Sequence, residues 1–455
     1  MNSRIGHRAV VIGAGIGGSC AAAALSPYFS EIVLLERDSL SSSIGSRVGV
    51  PQDRQPHFLL AGGLRVLDDL FPGFDVDLVG DGAVSVNVFR EMHYERPDVG
   101  VLPKRDCGLK LLCATRPLIE HLLRRRVASI ENVAVRPQCR VTEITPDATR
   151  RLVRFEELSG PATLDADLVV DASGRGLPTL ALLDDLGWSR PVESNVGVDI
   201  GYTAFVLPEI PANHSDPKIH ITLPDPSASV LAGIIMPIEG GRCFVAISAH
   251  GATERPKTWQ EFLSILRRLR TPTIYDAVCD LQPVDGPRHF VFDQSRWHHF
   301  ERLERLPRGV LPLGDSICRF NPVYGQGMSV AAQQAKMLRD ALASVVGEVD
   351  PIGTLPMHYM TDMERLLAAP WNLGVNADFA YPGTRGHRPE HYEQSRQFES
   401  NLFRAVVADP IVQKAFANVM QLTAPLESLG ETGIRRRIEA LAESRSIMEI
   451  DSLGI

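Results

Sequence analysis

Hydrophobic and polar positions follow three different patterns along this chain. Near the N-terminus the apolar run RAVVI gives way to GAGIGG, then to the small-residue stretch SCAAAALS, then to EIVLLE ending at Glu36. Short apolar runs bounded by glycine predict buried strands, so residues 8 to 36 read as strand, glycine loop, helix, strand. DLVV predicts another buried strand, left through Asp171, Ser173, Gly174 and Arg175. RGVLPL predicts a further one, stopped by Gly314 and Asp315, although Pro312 inside it removes a ladder donor. A loop with Asn321, Pro322, Gly325 and Gly327 follows, and AAQQAKMLRDALASVV then takes up helical spacing.

The second pattern is alternation. VGVDIGYTAFVLP, KIHITLP, SVLAGIIMPI and RCFVAISAH predict an antiparallel sheet within 190–285, followed by a helix at TWQEFLSILRRL. Residues 79–103 alternate in short runs such as AVSVNVF and predict a β-hairpin leaving the first domain. The third pattern is helical. It covers LLAGGLRVLDDLF, whose double glycine weakens it, CATRPLIEHLLRRRV with Arg116 at its start, and most of 346–455. VAVRPQCRVTEI and RLVRFEEL add a strand-rich stretch between them. The expected fold class is therefore α/β. A Rossmann-like domain (1–78, 104–182 and 286–345) carries an inserted antiparallel sheet (79–103 and 183–285) and a C-terminal helical region (346–455).

The glycines give the first loop its chemistry. Gly13, Gly15 and Gly18 have G-x-G-x-x-G spacing: the first permits the tight turn, the second admits a pyrophosphate, the third lets helix and strand pack closely. Glu36 stands 18 residues after Gly18, in position to hold adenosine ribose hydroxyls, which favours FAD or NAD over a 2′-phosphate. At Gly314–Ala332 a strand-end carboxylate, Asp315, precedes a glycine loop and a helix N-terminus. This arrangement suits a flavin: the carboxylate accepts from ribose or ribityl hydroxyls, and the helix N-terminus favours negative charge on the pyrimidine edge. Gly325 and Gly327 let the backbone approach the ring. Arg47 is a candidate for a phosphate or the flavin edge, and Gln52 and His57 for side chains pointing into a site. Arg116 at a helix start opposes the macrodipole unless an anion neutralises it, which argues for a bound phosphate. Trp371 and Asp378, read as a loop residue, are candidates to cap a pocket, with core packing the plainer role for Trp371.

Composition excludes more than it selects. The 455 residues carry a net charge of −8, which speaks against a nucleic-acid partner, and the RRR at 124–126 reads as a solvated helix face. Seven cysteines without a CxxC pair support neither a disulfide framework nor a zinc site, and suit a reducing, cytoplasmic setting. No apolar span reaches membrane length.

The order GAGIGG, LLERD, VVDASGRG and LGDSICRFNPVYGQGMSVAA resembles the FAD-dependent monooxygenases of the aromatic-hydroxylase type. RVGVPQDRQPHFLLAGGLRVLDDLFPGF and PWNLGVNADFAYPGTRGHRP resemble the branch related to squalene epoxidase and bacterial polyether epoxidases. The resemblance implies a split FAD domain and a cofactor set. Gly13, Gly15, Gly17 and Gly18 would lie at the pyrophosphate, Glu36 and Arg37 at the adenosine, and Arg47 and Arg116 on FAD. Asp171 and Gly174 would lie in the loop meeting FAD and, in relatives, NADPH. Asp315 would hold the ribityl or ribose region, and Pro322, Gly325, Gln326, Gly327 and Met328 would flank the flavin ring. DASG replaces the Asp-Gly pair of the aromatic hydroxylases, and Leu177-Pro178 follows where relatives often carry Ser-Arg.

The implied activity is insertion of one oxygen atom from O2 into a small lipophilic substrate through a flavin C4a-hydroperoxide. NAD(P)H would be the electron donor, directly or through a separate flavin reductase, as in secondary metabolism. Epoxidation of an isolated alkene is the first expectation. Hydroxylation of an aromatic ring, which wants a base or relay such as His57 or Tyr324, is the alternative. Reduction of prenyl chains and a flavin-binding protein without turnover are further ones. No WxWxIP stretch marks a halogenase. No catalytic side chain or metal is expected, because the flavin carries the chemistry.

Overall fold

A computed structural model describes residues 4–41, 43–147, 150–174, 176–210, 217–251 and 254–441. Arg175, part of the expected exit loop after Asp171, lies outside them.

The buried runs form a five-stranded parallel sheet in the order Val310–Pro312, Leu168–Asp171, Gly6–Ile12, Phe29–Leu35, Val133–Arg136. Ile12 stands opposite both Leu35 and Asp171, and Asp171 opposite Pro312. The carboxyl ends are thus level, and the loops at Gly13, Ala172 and Leu313 leave one edge of the sheet together, the usual ligand side of such a sheet. Pro312 is tolerated because its strand is the edge strand. Phe29, Ile32 and Leu34 are fully buried, each worth about 1.5–3 kcal/mol.

The helix Ile16–Leu25 lies close on this sheet because Gly17 and Gly18 in its first turn lack side chains. A Cβ on Gly18 would sit 1.8 Å from the Gly13 carbonyl oxygen, and one on Gly17 would sit 2.9 Å from Leu313 Cδ2. The long helix Gly327–Ser344 packs beside it and against Ala61–Leu70. The double glycine of Ala61–Leu70 serves that contact. A Cβ on Gly63 would meet Ser329 at 2.3 Å, and one on Gly62 the Leu422 carbonyl oxygen at 2.1 Å.

The antiparallel sheet runs in the order Cys318–Arg319, Asp285–His298, Glu193–Pro208, Arg242–His250, Leu231–Ile238, Ile219–Thr222, Met92–Arg96, Gly100–Val101. Asp285–His298 pairs along Glu193–Pro208, so this sheet continues past residue 285. The segment 79–103 holds one short hairpin, Met92–Arg96 with Gly100–Val101, and its first strand pairs elsewhere. Val84–Phe89 pairs with Asp106–Cys113, while Met92–Arg96 joins the large sheet through a parallel pairing with Ile219–Thr222. A three-stranded antiparallel sheet, Arg140–Asp147, Arg150–Glu157 and Gly160–Ala166, flanks the parallel one.

The C-terminal region supplies the helices Pro351–Met360, Met363–Asp378, Tyr392–Ala408 and Pro410–Met420. Asp378 is the last residue of its helix, not a loop residue, and is 1% exposed. Trp371 is buried edge-on against Trp297, with ring centroids 5.7 Å apart, so it is a core residue. The arginines at 124–126 are a solvated face only in part, since Arg125 is 53% exposed but its neighbours are not. Arg124 is 11% exposed and reaches Glu120, while Arg125 and Arg126 pair with Asp81 and Asp77. All seven cysteines are free and six are buried. Among the described residues no helix is long and apolar enough to cross a membrane.

Candidate functional site

A cavity of about 2210 Å³ starts at the glycine loop and ends between the antiparallel sheet and the C-terminal helices. That is more than a single small-ligand pocket, about 300–1,000 Å³, needs. Of the sequence-predicted residues, Gly13, Gly15, Gly17, Glu36, Arg37, Arg47, Gln52, His57, Arg116, Gly174, Asp315, Pro322, Tyr324, Gly325, Gln326, Gly327 and Met328 all line it. Residues scattered from 13 to 328 meet here because the three strand-end loops leave the sheet on one side. Gly18 does not line it; it fills the helix–loop contact. Asp171 stays behind the wall, fully buried. Its carboxylate accepts from the Ser173 N–H at 3.1 Å and the Thr179 hydroxyl at 2.7 Å, fixing the exit loop to the helix Leu177–Asp185.

The Glu36 end of the cavity is built on charge. Glu36 is 5% exposed and accepts from the Ala14 N–H at 2.8 Å and the Asp38 N–H at 2.9 Å. Arg47 Nη1 lies 3.2 Å from the same carboxylate and 3.8 Å from Asp38 Oδ2. The rest of the Arg47 guanidinium is held by Glu120, through Nε at 3.0 Å and a short Nη2 contact. Glu120 also accepts from Arg116 Nε at 2.9 Å and lies 3.6 Å from Arg124 Nη1. The anion that neutralises Arg116 at its helix start is therefore Glu120. Burial pulls the Glu120 pKa up, but Arg116 and Arg47 outweigh it and hold it below the ordinary value. Sequence reading missed this residue, although Arg116, Glu120 and Arg124 at i, i+4 spacing carried the signal. Arg37 sits at the exposed rim, 3.3 Å from the Gly49 carbonyl oxygen.

Further along, Asp315 faces open cavity space and makes no hydrogen bond to another described residue. The protein around it nonetheless desolvates it, raising its pKa, with Arg116, Arg319 and Arg296 opposing. His57 is 8% exposed, with Nδ1 2.8 Å from the Gln55 carbonyl oxygen. Burial, then Arg116, lowers its pKa to about 4. It is thus neutral at pH 7, donates through Nδ1, and presents a lone pair at Nε2, which has no partner among the described residues. Ser173 Oγ and Gln326 Oε1 are likewise buried without partners. At Gly325, with φ of +67°, the loop turns left-handed, and a Cβ would press within 2.6 Å of the Phe58 ring.

These features fit a dinucleotide bearing a planar ring. An added Cβ on Gly15 or Gly327 would meet nothing within 4 Å, so both backbones open onto the cavity. The N-terminal turn of Gly327–Ser344 offers unpaired N–H groups there. The unpartnered acceptors suit hydroxyl and imide donors. Beyond the Gly325–Met328 loop the wall is largely apolar, with Phe58, Ile234, Ala246, Leu373, Phe398 and Phe403, and carries Arg96, Arg396 and Glu399 among them.

No family model matches the chain. In p-nitrophenol 4-monooxygenase from Pseudomonas putida DLL-E4, 17% identical, the match covers 92% of this chain and 99% of that one, with a TM-score of 0.61. A flavoprotein/dehydrogenase from Cytophaga hutchinsonii, 14% identical, matches over 97% of this chain and 100% of its own, with a TM-score of 0.66. The fold is that of these flavoenzymes. Protein Rv3254 of Mycobacterium tuberculosis is 33% identical over 357 residues, 75% of each chain. At that identity and coverage, the chain belongs to the same family as protein Rv3254.

Proposed function

We propose that this protein is an FAD-dependent monooxygenase that inserts one oxygen atom from O2 into a lipophilic substrate. One observation carries the reading: a single cavity joins the glycine loop and Glu36 to the Gly325–Met328 loop and continues as an apolar chamber. Bound FAD would supply the redox chemistry with O2. In this reading Gly13, Gly15 and the Ile16–Leu25 N-terminus receive the pyrophosphate and Glu36 the adenosine ribose. Asp315 holds the ribityl chain, and the Gly327 and Met328 amides bear on the pyrimidine edge, where they stabilise negative charge. The chamber beyond excludes water and orients the substrate.

The apolar lining supports epoxidation of an alkene as the first specific reading. Hydroxylation of a ring bearing a hydroxyl is the second, and a separate observation favours it. Tyr202 and Tyr324 both line the chamber and are hydrogen-bonded behind it to Asn321 and to the buried carboxylate of Asp378. The test uses FAD-reconstituted protein, NADH or NADPH, and labelled 18O2, with squalene and 1-naphthol as probes. One labelled oxygen in either product supports the reading and chooses between its forms. Capture of all the O2 as hydrogen peroxide with both probes, while FAD stays bound, overturns oxygenation in favour of a reductase.

A further inference from the structure

Behind the chamber wall lies a buried carboxylate to which no step has yet been given. Asp378 closes the helix Met363–Asp378 and is 1% exposed. Its Oδ1 accepts from the Tyr324 hydroxyl and from Asn321 Nδ2, both at 2.8 Å. Its Oδ2 is buried and has no partner. The Asn321 side-chain oxygen in turn faces the Tyr202 hydroxyl at 3.3 Å and accepts from the Val323 N–H at 3.1 Å. His250, from the strand Arg242–His250, brings Nε2 to 4.0 Å from Oδ1, and its ring is stacked on Tyr381 at 3.6 Å. Among the described residues no lysine or arginine pairs with Asp378; Arg96 and Arg396 bear on Tyr381 instead. Tyr324 reaches the carboxylate because Gly374, one turn earlier in the helix, leaves room for its ring. A Cβ there would stand 3.2 Å from Tyr324 Cδ2 and Cε2.

A buried carboxylate without a counter-cation costs stability, and one that is kept next to a cavity is a functional candidate on physical grounds. Asn321 and Tyr324 also stand just before Gly325, where the chain turns toward the proposed flavin position. We infer that Asp378 is the acid–base group of the chamber and that Tyr324 is the conduit through which it exchanges a proton with the bound ligand. The inference rests on the functional reading above and adds the proton path that reading lacks. In the accepting direction, a hydroxyl in the chamber gives its proton to the Tyr324 oxygen as the Tyr324 proton passes to Asp378. The carboxylate becomes a carboxylic acid, the ligand becomes an anion, and no electron moves. The reverse step returns the proton. Burial raises the Asp378 pKa to about 7, with the bonds from Tyr324 and Asn321 opposing. Burial lowers that of His250 to about 4. Between those values the pair holds one proton, whichever member carries it, and it loses that proton near neutrality.

The test uses FAD-loaded protein and no substrate. Oxidation of the reduced flavin anion by O2 moves two electrons to oxygen, and the peroxide formed takes one proton from the flavin and one from outside it. The reoxidation rate is followed against pH in wild type, Asp378→Asn and Tyr324→Phe, beside pH-difference infrared spectra of the carboxyl band. Asparagine keeps the acceptor for Asn321 and Tyr324, and phenylalanine keeps the ring against Gly374, so both variants retain the packing. The expected result is a carboxylic-acid band lost near neutrality in wild type and Tyr324→Phe but absent from Asp378→Asn. The wild-type rate profile inflects at the same pH and is flat in both variants, with a loss of about a hundredfold on the favoured side. A wild-type profile in either variant overturns the inference and leaves the functional reading standing. Failure of the purified protein to retain FAD overturns the reading, and the inference with it.

Discussion

Glu120 is the residue whose removal tells most about how the cofactor end is held together. Glu120→Gln keeps the shape and removes the charge. Glu120 is 4% exposed, and its partners Arg47, Arg124 and Arg116 are 7%, 11% and 20% exposed, so solvent does little to screen the cluster. Arg47 retains Glu36 and Asp38, but Arg116 loses its hydrogen-bonded anion and Arg124 Nη1, already without a hydrogen-bond partner, loses its nearest charge. Removing one partner of a buried ion cluster costs about 3–5 kcal/mol, because the charges left behind are uncompensated. At about 2–4 °C per kcal/mol for a domain of 150–250 residues, the melting temperature should fall by roughly 6–20 °C. FAD affinity should fall with it, because Arg47 is then held only by Glu36 and Asp38, on the adenosine side. The assay is thermal unfolding with and without FAD, and FAD titration by flavin fluorescence. The pH dependence has a definite sign. The folded pKa of Glu120 lies below its ordinary 4.5, so its contribution is complete above that value and is lost as pH falls through the folded pKa. Glu120→Gln should lack that part of the acid loss. A melting temperature within about 1 °C of wild type, together with normal FAD binding, would refute the account of Glu120 as the hub of this cluster.

Three other substitutions address the cavity and the glycine loop at its end. Gly15→Val should leave the fold intact and abolish FAD retention, because its side chain has only cavity space to enter; a fully yellow variant with an unchanged melting curve sinks the pyrophosphate assignment. Gly18→Ala should instead destabilise the apoprotein, because its Cβ lands 1.8 Å from the Gly13 carbonyl oxygen; circular dichroism melting without cofactor checks this, and an unaltered melt contradicts it. Asp315→Ala should weaken FAD binding by about tenfold, the loss of one or two charge-assisted hydrogen bonds. It should not destabilise the apoprotein, since it removes a desolvated carboxylate that makes no hydrogen bond to another described residue; FAD occupancy equal to wild type would contradict the role given to Asp315.

How much of this was legible in the chain depends on the range of the physics involved. The parallel sheet and its three loops could be read because each apolar run, terminal acid and glycine lies within a few residues of its fellows. Level strand ends then bring Gly13, Gly174 and Asp315 to one cavity without further information. Contacts that depend on distant segments could not be read this way. Gly62 and Gly63 look like helix weakeners until Ser329 and Leu422, more than 260 positions away, occupy the space their missing side chains leave. Arg116 looked like a phosphate ligand because its helix start demanded an anion; the demand was real, but the chain itself supplies Glu120. Asp378 looked like a loop cap because a carboxylate seldom ends buried against two tyrosines without a cation. The same improbability makes it informative once it is seen. Local pattern made the glycine-loop end of the cavity legible, where glycine geometry dominates. The acid–base end is assembled from residues 202, 250, 321, 324 and 378, drawn from two strands, a loop and a helix, and no spacing within the chain announces it.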